Sequence, residues 1–334
     1  MRVRTNVLRE LSARVFENQG VYRDDAMVVS DVLVEANLRG HDSHGVVRIP
    51  KWVAGIKAKA INPACQPSLV VNFGSVAVLD GDRGLGPVVA SRAIKLAVEK
   101  ARAFGMSAVS VRNSSHIGML AWYAEQLAQA GLIGMVTTNT EPGVAPYGAM
   151  DKVLGTNPLA LGCPTSDRPI ILDMSTSVVA RGKIVLAQRA GKPIPEGWAV
   201  DQRGHPTTDP NEALKGALLP IGGPKGSGLS VFVDILSGAL SGSEVATGVA
   251  GTMIMSNQST KGDFFLAINP AMFCAEDQFI AKIDSLRHQI RSARPAAGFE
   301  RVLAPGDFEA AVRAQKEEEM EIDEDLFQEI DSLT

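Results

Sequence analysis

Between about residues 67 and 275, short β-branched runs alternate with longer amphipathic stretches, and glycine marks most of the boundaries. "LVVNFGSVAVLDGDRGLG" predicts a hairpin. "PVVASRAIKLAVEKARAFG" predicts a helix, with Pro87 near its start and Gly105 past its end. "MSAVSVRNSS", "LIGMVTTNT", "PIILDMSTS" and "DFFLAINPAMF" read as strands. "HIGMLAWYAEQLAQAG" reads as a helix opening at His116 and capped by Ser114 or Ser115, and "EDQFIAKIDSLRHQIRSAR" as another. Alternation of this kind puts helices against a sheet, so the fold class is α/β. The first 40 residues read as two amphipathic helices closed by Gly20 and Gly40. The acidic tail after Pro305 reads as a solvated helix face.

A length of 334 residues suits two packed units. The net charge of −4, with no basic stripe, argues against a nucleic-acid partner. No apolar run reaches the ~18 residues of a membrane span, and the N-terminus has no secretory pattern. Cys65, Cys163 and Cys274 are scattered, with neither disulfide nor metal spacing. They are expected to be reduced and buried, which fits a cytoplasmic protein with no metal.

Two nucleotide-binding motifs are imitated and then fail. "GDRGLGPVVASRA" follows the strand "VAVLD" and opens a helix, but Val89 stands where a dinucleotide fingerprint needs its third glycine. No acidic residue closes a second strand about 20 residues on. "GGPKGSGLS" lacks the GxxxxGK[ST] order of a phosphate loop.

The chemistry gathers elsewhere. His41, Asp42, Ser43, His44 and Arg48 share one loop, and a helix there would put His44 and Arg48 on one face. An imidazole exchanges protons near neutral pH, and a guanidinium presents a planar fork to a carboxylate. Ser43 is read as a further substrate contact. His116, in the first turn of its expected helix, would be kept neutral by the dipole and suited to accept a proton. Gly155, Thr156 and Asn157 form a polar turn, and Asp173, Ser175 and Thr176 end a strand. In "PKGSGLS", Lys225, Gly226 and Gly228 precede a helix expected from about Leu229, an arrangement that would cradle a phosphate.

Taken together, "DSHGVVR", "SSHIGMLAWYA", "EPGVAPYGAMDKVLGTNPLA", "LDMSTS", "GGPKGSGL" and "LAPGD" resemble, in order, the type-2 malate/L-lactate dehydrogenase family over about residues 1–330. That family includes sulfolactate and ureidoglycolate dehydrogenases and reductases of cyclic imino acids. The resemblance implies a non-Rossmann cofactor domain, with a mixed, largely antiparallel sheet wrapped by helices, over residues 67–275. It implies a separate helical unit from residues 1–66 and 276–334, and a homodimer with active sites near the interface. The cofactor would be NAD or NADP, and the substrate a small 2-oxo or 2-hydroxy acid. A cyclic imino acid is the alternative substrate, and a catalytically silent cofactor-binding protein the alternative of another class. The family's acid/base histidine falls on His116, with His44 as second candidate. Its substrate arginine falls on Arg48, its site acid on Glu141, and its cofactor contacts on Thr140, Met174, Ser175, Thr176, Lys225 and the turn Pro305, Gly306 and Asp307. Trp52 replaces a frequent Tyr among the substrate contacts, Ala149 a second glycine, and Lys59 a common glycine.

Overall fold

The computed structural model describes residues 1–334. The chain opens with β1 (Arg2–Arg4), α1 (Thr5–Asn18) and α2 (Arg23–Leu38). Two 3-10 turns, Asp42–His44 and Val46–Arg48, lead into α3 (Ile49–Lys57). Then come β2 (Ser68–Phe73), β3 (Val76–Gly84), α4 (Gly86–Phe104), β4 (Met106–Ser114), α5 (Ala121–Gln129) and β5 (Ile133–Thr138). They are followed by β6 (Leu159–Cys163), β7 (Ile170–Met174), α6 (Arg181–Arg189), β8 (Ala199–Val200), α7 (Pro210–Lys215) and β9 (Ala217–Leu218). The chain closes with α8 (Pro224–Ser237), β10 (Asp263–Ile268), α9 (Glu276–Arg291), α10 (Asp307–Lys316), β11 (Glu319–Glu321) and α11 (Glu324–Asp331).

Seven strands form one sheet in the order β2-β3-β4-β10-β5-β6-β7. Only β3 and β4 run parallel; every other neighbouring pair is antiparallel. The expected α/β class with a mixed, largely antiparallel sheet is what the chain forms. Register then decides which loops meet. Asp263 pairs with both Val111 and Thr138, and Leu159 with both Thr137 and Met174. The ends of β4, β5 and β7 and the starts of β10 and β6 therefore share one edge. That edge carries the loops holding His116, Thr140, Asn157, Ser175 and Lys261.

The main core joins α1, α2 and α4 to the sheet through Leu8, Phe16, Leu33, Val89, Val109, Val136 and Phe265. A smaller core gathers Val144, Ile184 and Leu218 under α6 and α7. The acidic tail is more than a solvated face. β11 pairs with β1, setting Met320 opposite Val3, and Met320 and Ile330 are buried against the main core. A charge run does not reveal such pairing because its few apolar residues match a partner about 300 residues away.

Several local expectations change. The helix after His116 starts at Ala121, not at His116. Residues 116–120 stay outside the helix because Gly118 is left-handed at φ 80° and the Tyr123 hydroxyl donates to the Ile117 carbonyl at 2.5 Å. Ser115 serves the other helix: its Oγ accepts from the Gly86 N–H at 2.8 Å. Likewise α8 begins at Pro224, so Lys225, Gly226 and Gly228 lie inside its first turns. Of the cysteines, all free, Cys65 is buried, Cys163 half-buried and Cys274 exposed. Lys59, where a glycine is common, adopts the left-handed φ of 60°.

The false fingerprint has a packing cause. A Cβ on Gly84 would lie 2.3 Å from the Cys65 sulfur, and one on Gly86 2.3 Å from the His116 carbonyl oxygen. These glycines let β3 and α4 pass close beneath the His116 loop, and the first α4 amide is already bonded to Ser115. Gly86→Ala should therefore destabilise the protein by about 1–3 kcal/mol, as overpacking does, and displace the His116 loop. Chemical denaturation of the variant checks this; unchanged stability would mean that the loop yields freely.

Candidate active site

His44, Arg48, Trp52 and His116 come together, although no helix holds the first two on one face. His44 ends one 3-10 turn and Arg48 the next, with α3 starting just beyond. The extended Gly45 between them breaks the helix, and a Cβ there would strike the Asn37 side chain at 2.0 Å. The Arg48 Nε donates to the Ser43 carbonyl at 2.7 Å, which draws the guanidinium back over the loop. The His44 and His116 rings lie 5.5 Å apart, and the Trp52 ring 6.2 Å from His116. Trp52 is fully buried, and its indole N–H has no hydrogen-bond partner.

Both imidazoles are held neutral. Burial, then the charges of Arg48 and His41, push His44 down to about 3. Burial, then Arg48, His44, Lys261 and Lys51, hold His116 well below the usual histidine range. Burial and surrounding cations thus replace the helix dipole as the cause. The two rings differ in tautomer. The His116 Nδ1 accepts from the Gly118 N–H at 3.0 Å, so the neutral ring carries its proton on Nε2. The His44 Nδ1 faces the Ser43 hydroxyl at 2.9 Å, a group able to donate or accept.

The remaining expected residues divide between contact surface and scaffold. Glu141 touches neither histidine; its Oε1 accepts from the Thr252 and Met253 amides at 2.7 and 3.0 Å. Thr140 takes the Asn157 Oδ1 on its amide at 3.1 Å. Ser175 bonds Ser177, and the buried Thr176 donates to the Thr156 carbonyl at 3.0 Å. Met174 ends β7, half-buried beside them. Asp307 is held by Arg291 and by the Ala304 amide. Gly306 is left-handed at φ 87°, and its ideal Cβ lies 3.1 Å from the Ile171 carbonyl oxygen. Pro305 is exposed at the tip of that turn.

A nicotinamide dinucleotide fits what is present. Nothing caps the N-terminus of α8, and Lys225 in its first turn is exposed with no carboxylate partner. The positive end of the helix dipole and a cation there suit a pyrophosphate, although the Lys225 and Ser227 amides are already bonded to the Gly222 and Gly223 carbonyls. Gly226 serves packing instead, since a Cβ would meet the Ile221 carbonyl oxygen at 2.0 Å, while Gly228 faces open space. A cavity of about 890 Å³ adjoins the Gly306–Asp307 turn and is also lined by His41, Trp122 and Asp173. The His41 Nε2 and Trp122 Nε1 are buried without partners, which leaves one indole donor and one imidazole nitrogen free for a polar ligand.

Sequence reading missed Lys261 and Asp263, a fully buried pair at 2.5 Å at the start of β10. A Lys-x-Asp before an apolar strand was the available signal, since alternation puts both on one face. It also missed Asn139, which accepts from the Gly262 amide and donates to Asp234.

The profile of the malate/L-lactate dehydrogenase family matches residues 3–331. The chain belongs to that family. It is 42% identical over 325 residues to the L-sulfolactate dehydrogenase of Methanocaldococcus jannaschii, covering 97% of this chain and 94% of that protein. The solved sulfolactate dehydrogenase from M. jannaschii superposes with a TM-score of 0.96 at 41% identity, covering 100% of this chain and 96% of the other. The malate dehydrogenase of Pyrococcus horikoshii is 42% identical over 319 residues, covering 92% of this chain and 87% of that protein. Among more distant members, a (2R)-3-sulfolactate dehydrogenase from Chromohalobacter salexigens carries NADP(+) in its name, and a ureidoglycolate dehydrogenase from Escherichia coli O157:H7 carries NAD(+).

The neutral histidines make stability pH-dependent. The unfolded chain binds protons at these positions near 6.5, whereas folded His44 does so only near 3. Between those values the unfolded state holds more protons, so stability is lost as pH falls from 6.5 towards 3. Thermal melts across that window should show a flatter decline for His44→Gln than for the natural chain; parallel declines would count against a neutral His44.

Proposed function

We propose that the chain is an NAD(P)-dependent oxidoreductase moving a hydride between nicotinamide and a small 2-oxo or 2-hydroxy acid. The carrying observation is Arg48, a half-buried guanidinium without a carboxylate partner, beside two neutral imidazoles. Arg48 binds the substrate carboxylate in its fork, and Ser43 and the partnerless Trp52 N–H contribute further contacts. NAD or NADP supplies or takes the hydride when bound. Lys225 and the N-terminal end of α8 hold the pyrophosphate, beside Thr140, Met174, Ser175 and Thr176. The Pro305–Asp307 turn and its cavity hold the adenosine end.

The tautomers divide the work of the two candidate histidines. His116, fixed by Gly118, holds the substrate oxygen through its Nε2–H. His44, facing a hydroxyl that can reverse its role, is free to exchange the proton. Glu141 supports the site by fixing the loop at Thr252 and Met253.

The same reading makes residues 1–66 and 276–334 one helical unit, supported by the β1–β11 pairing. Residues 67–275 form a non-Rossmann cofactor and catalytic unit, supported by the single parallel strand pair. A second copy of the chain would cover the exposed Leu69, Val71 and Phe73 of β2 and Leu229, Phe232 and Ile235 of α8. Free thiols and the absence of any helix long and apolar enough to cross a membrane suit the cytoplasm.

Nicotinamide absorbance over a panel of 2-hydroxy acids, a cyclic imino acid and both cofactors tests the activity; no oxidation or reduction of any member would sink it. His44→Gln should lower kcat roughly 10²–10⁴-fold. His116→Gln, which keeps an N–H donor, should lose less, and the reverse order would return the proton to His116. Lys225→Ala should weaken cofactor binding by roughly tenfold or more, a charge-assisted contact. Fluorescence titration reads this directly, and equal dissociation constants at low salt would move the pyrophosphate elsewhere.

A further inference from the structure

The Lys261–Asp263 pair is costly where it stands. Lys261 is 1% exposed and Asp263 0%. The Lys261 Nζ bonds the Asp263 Oδ1 at 2.5 Å and nothing else, and the Asp263 Oδ2 has no partner. A buried ion pair recovers the cost of leaving water only when its remaining donors and acceptors are satisfied, and apolar residues of similar size often serve stability as well. Folding alone therefore does not account for the pair. Its position points to the reaction centre. Asp263 pairs with Val111, five residues before His116, and with Thr138, two before Thr140. The pair thus sits where the histidine loop and the cofactor loop leave the sheet. Phe265, on the same face of β10 as Asp263, meets the Tyr123 ring edge-on at 6.2 Å. The Tyr123 hydroxyl in turn holds the carbonyl of Ile117, next to His116.

The charges are oriented to match. Burial first, then Arg48, His44, Lys261 and Lys51, oppose a proton on His116. Burial first, then Asp263, retain the proton of Tyr123. The ammonium thus acts on the imidazole and the carboxylate on the phenol. A second proton on His116 can enter only at Nδ1, because Nε2 already carries one. It would set two donors face to face at Gly118 and release the ring. We propose that Lys261, anchored by Asp263, is a positioning residue for His116: its fixed charge keeps a second proton off the ring and so preserves the Gly118 contact that aims Nε2–H at the substrate oxygen. This rests on the reading of His116 as the residue that holds that oxygen. Lys261, fully buried, acts only through His116, and the proton of the reaction still passes to His44.

Lys261→Met alone leaves Asp263 buried without a partner, so the test exchanges both, as Lys261→Met with Asp263→Leu. Chemical denaturation should show this double variant to be at least as stable as the natural chain, as apolar replacement of a buried pair often is. A second double variant, Lys261→Gln with Asp263→Asn, removes the charges but keeps a hydrogen bond, and serves if the apolar pair does not fold. Heteronuclear NMR of the cofactor-free protein follows the His116 ring, whose signals are identified by their loss in His116→Gln. In the natural chain the ring should keep one proton, on Nε2, as pH falls from about 8 to about 5. In either double variant the second proton should enter higher by about one pH unit or more. The acid limb of kcat, with a 2-hydroxy acid and oxidised cofactor at saturation, should move up with it. An unmoved titration would overturn the positioning role, whatever the stability, and leave the reading of His116 standing. A titration that moves without the activity limb would overturn the role in the reaction together with that reading.

Discussion

The position of one strand organises the rest of the molecule. β10 lies in sequence more than 120 residues beyond β5, yet it runs antiparallel between β4 and β5. The Gly262 amide and carbonyl are both bonded to Asn139, which fixes the register where β10 begins. A Cβ on Gly262 would come within 1.9 Å of the Ser237 carbonyl oxygen, so the segment passes α8 only as glycine. A slip of one residue would turn Lys261, Asp263 and Phe265 to the other face. With the register held, five strand ends share an edge and the site loops have one place to go.

Glycine in this chain serves close packing more than phosphate contact. Gly84, Gly86 and Gly226 sit where motif reading looks for nucleotide-binding loops, and each instead faces another part of the chain at under 2.5 Å from an added Cβ. Gly118 is different: its left-handed backbone aims an amide at His116 and so selects the tautomer. That selection distinguishes two histidines that residue type alone leaves equivalent.

Electrostatically, the site is built from cations and neutral imidazoles. Its candidate acid, Glu141, is spent on backbone amides, and the buried Asp263 is paired with Lys261. A centre with this balance of charge attracts anions and disfavours protonated rings. Burial alone would also make the histidines neutral; what the surrounding arginines and lysines add is a preference for what binds beside them.

Much was legible in the sequence because it depends on local rules. The β2–β3 hairpin, the Pro87 start and left-handed Gly105 end of α4, and the helix over residues 276–291 follow from turn residues and apolar spacing. The ordered motifs carried the family and nominated His44, Arg48 and His116. Local rules misplaced the starts of α5 and α8, because Ser115 caps α4 instead of its own following segment and the Gly226 contact tightens α8 into an earlier turn. Tertiary structure alone decided the pairing of β1 with β11, the Lys261–Asp263 pair, the tautomer of His116 and the approach of α6 at Gly182 to Ser43. Each joins residues whose separation in sequence carries no periodic trace, or turns on where one amide or side chain comes to rest, so only the packed chain fixes it.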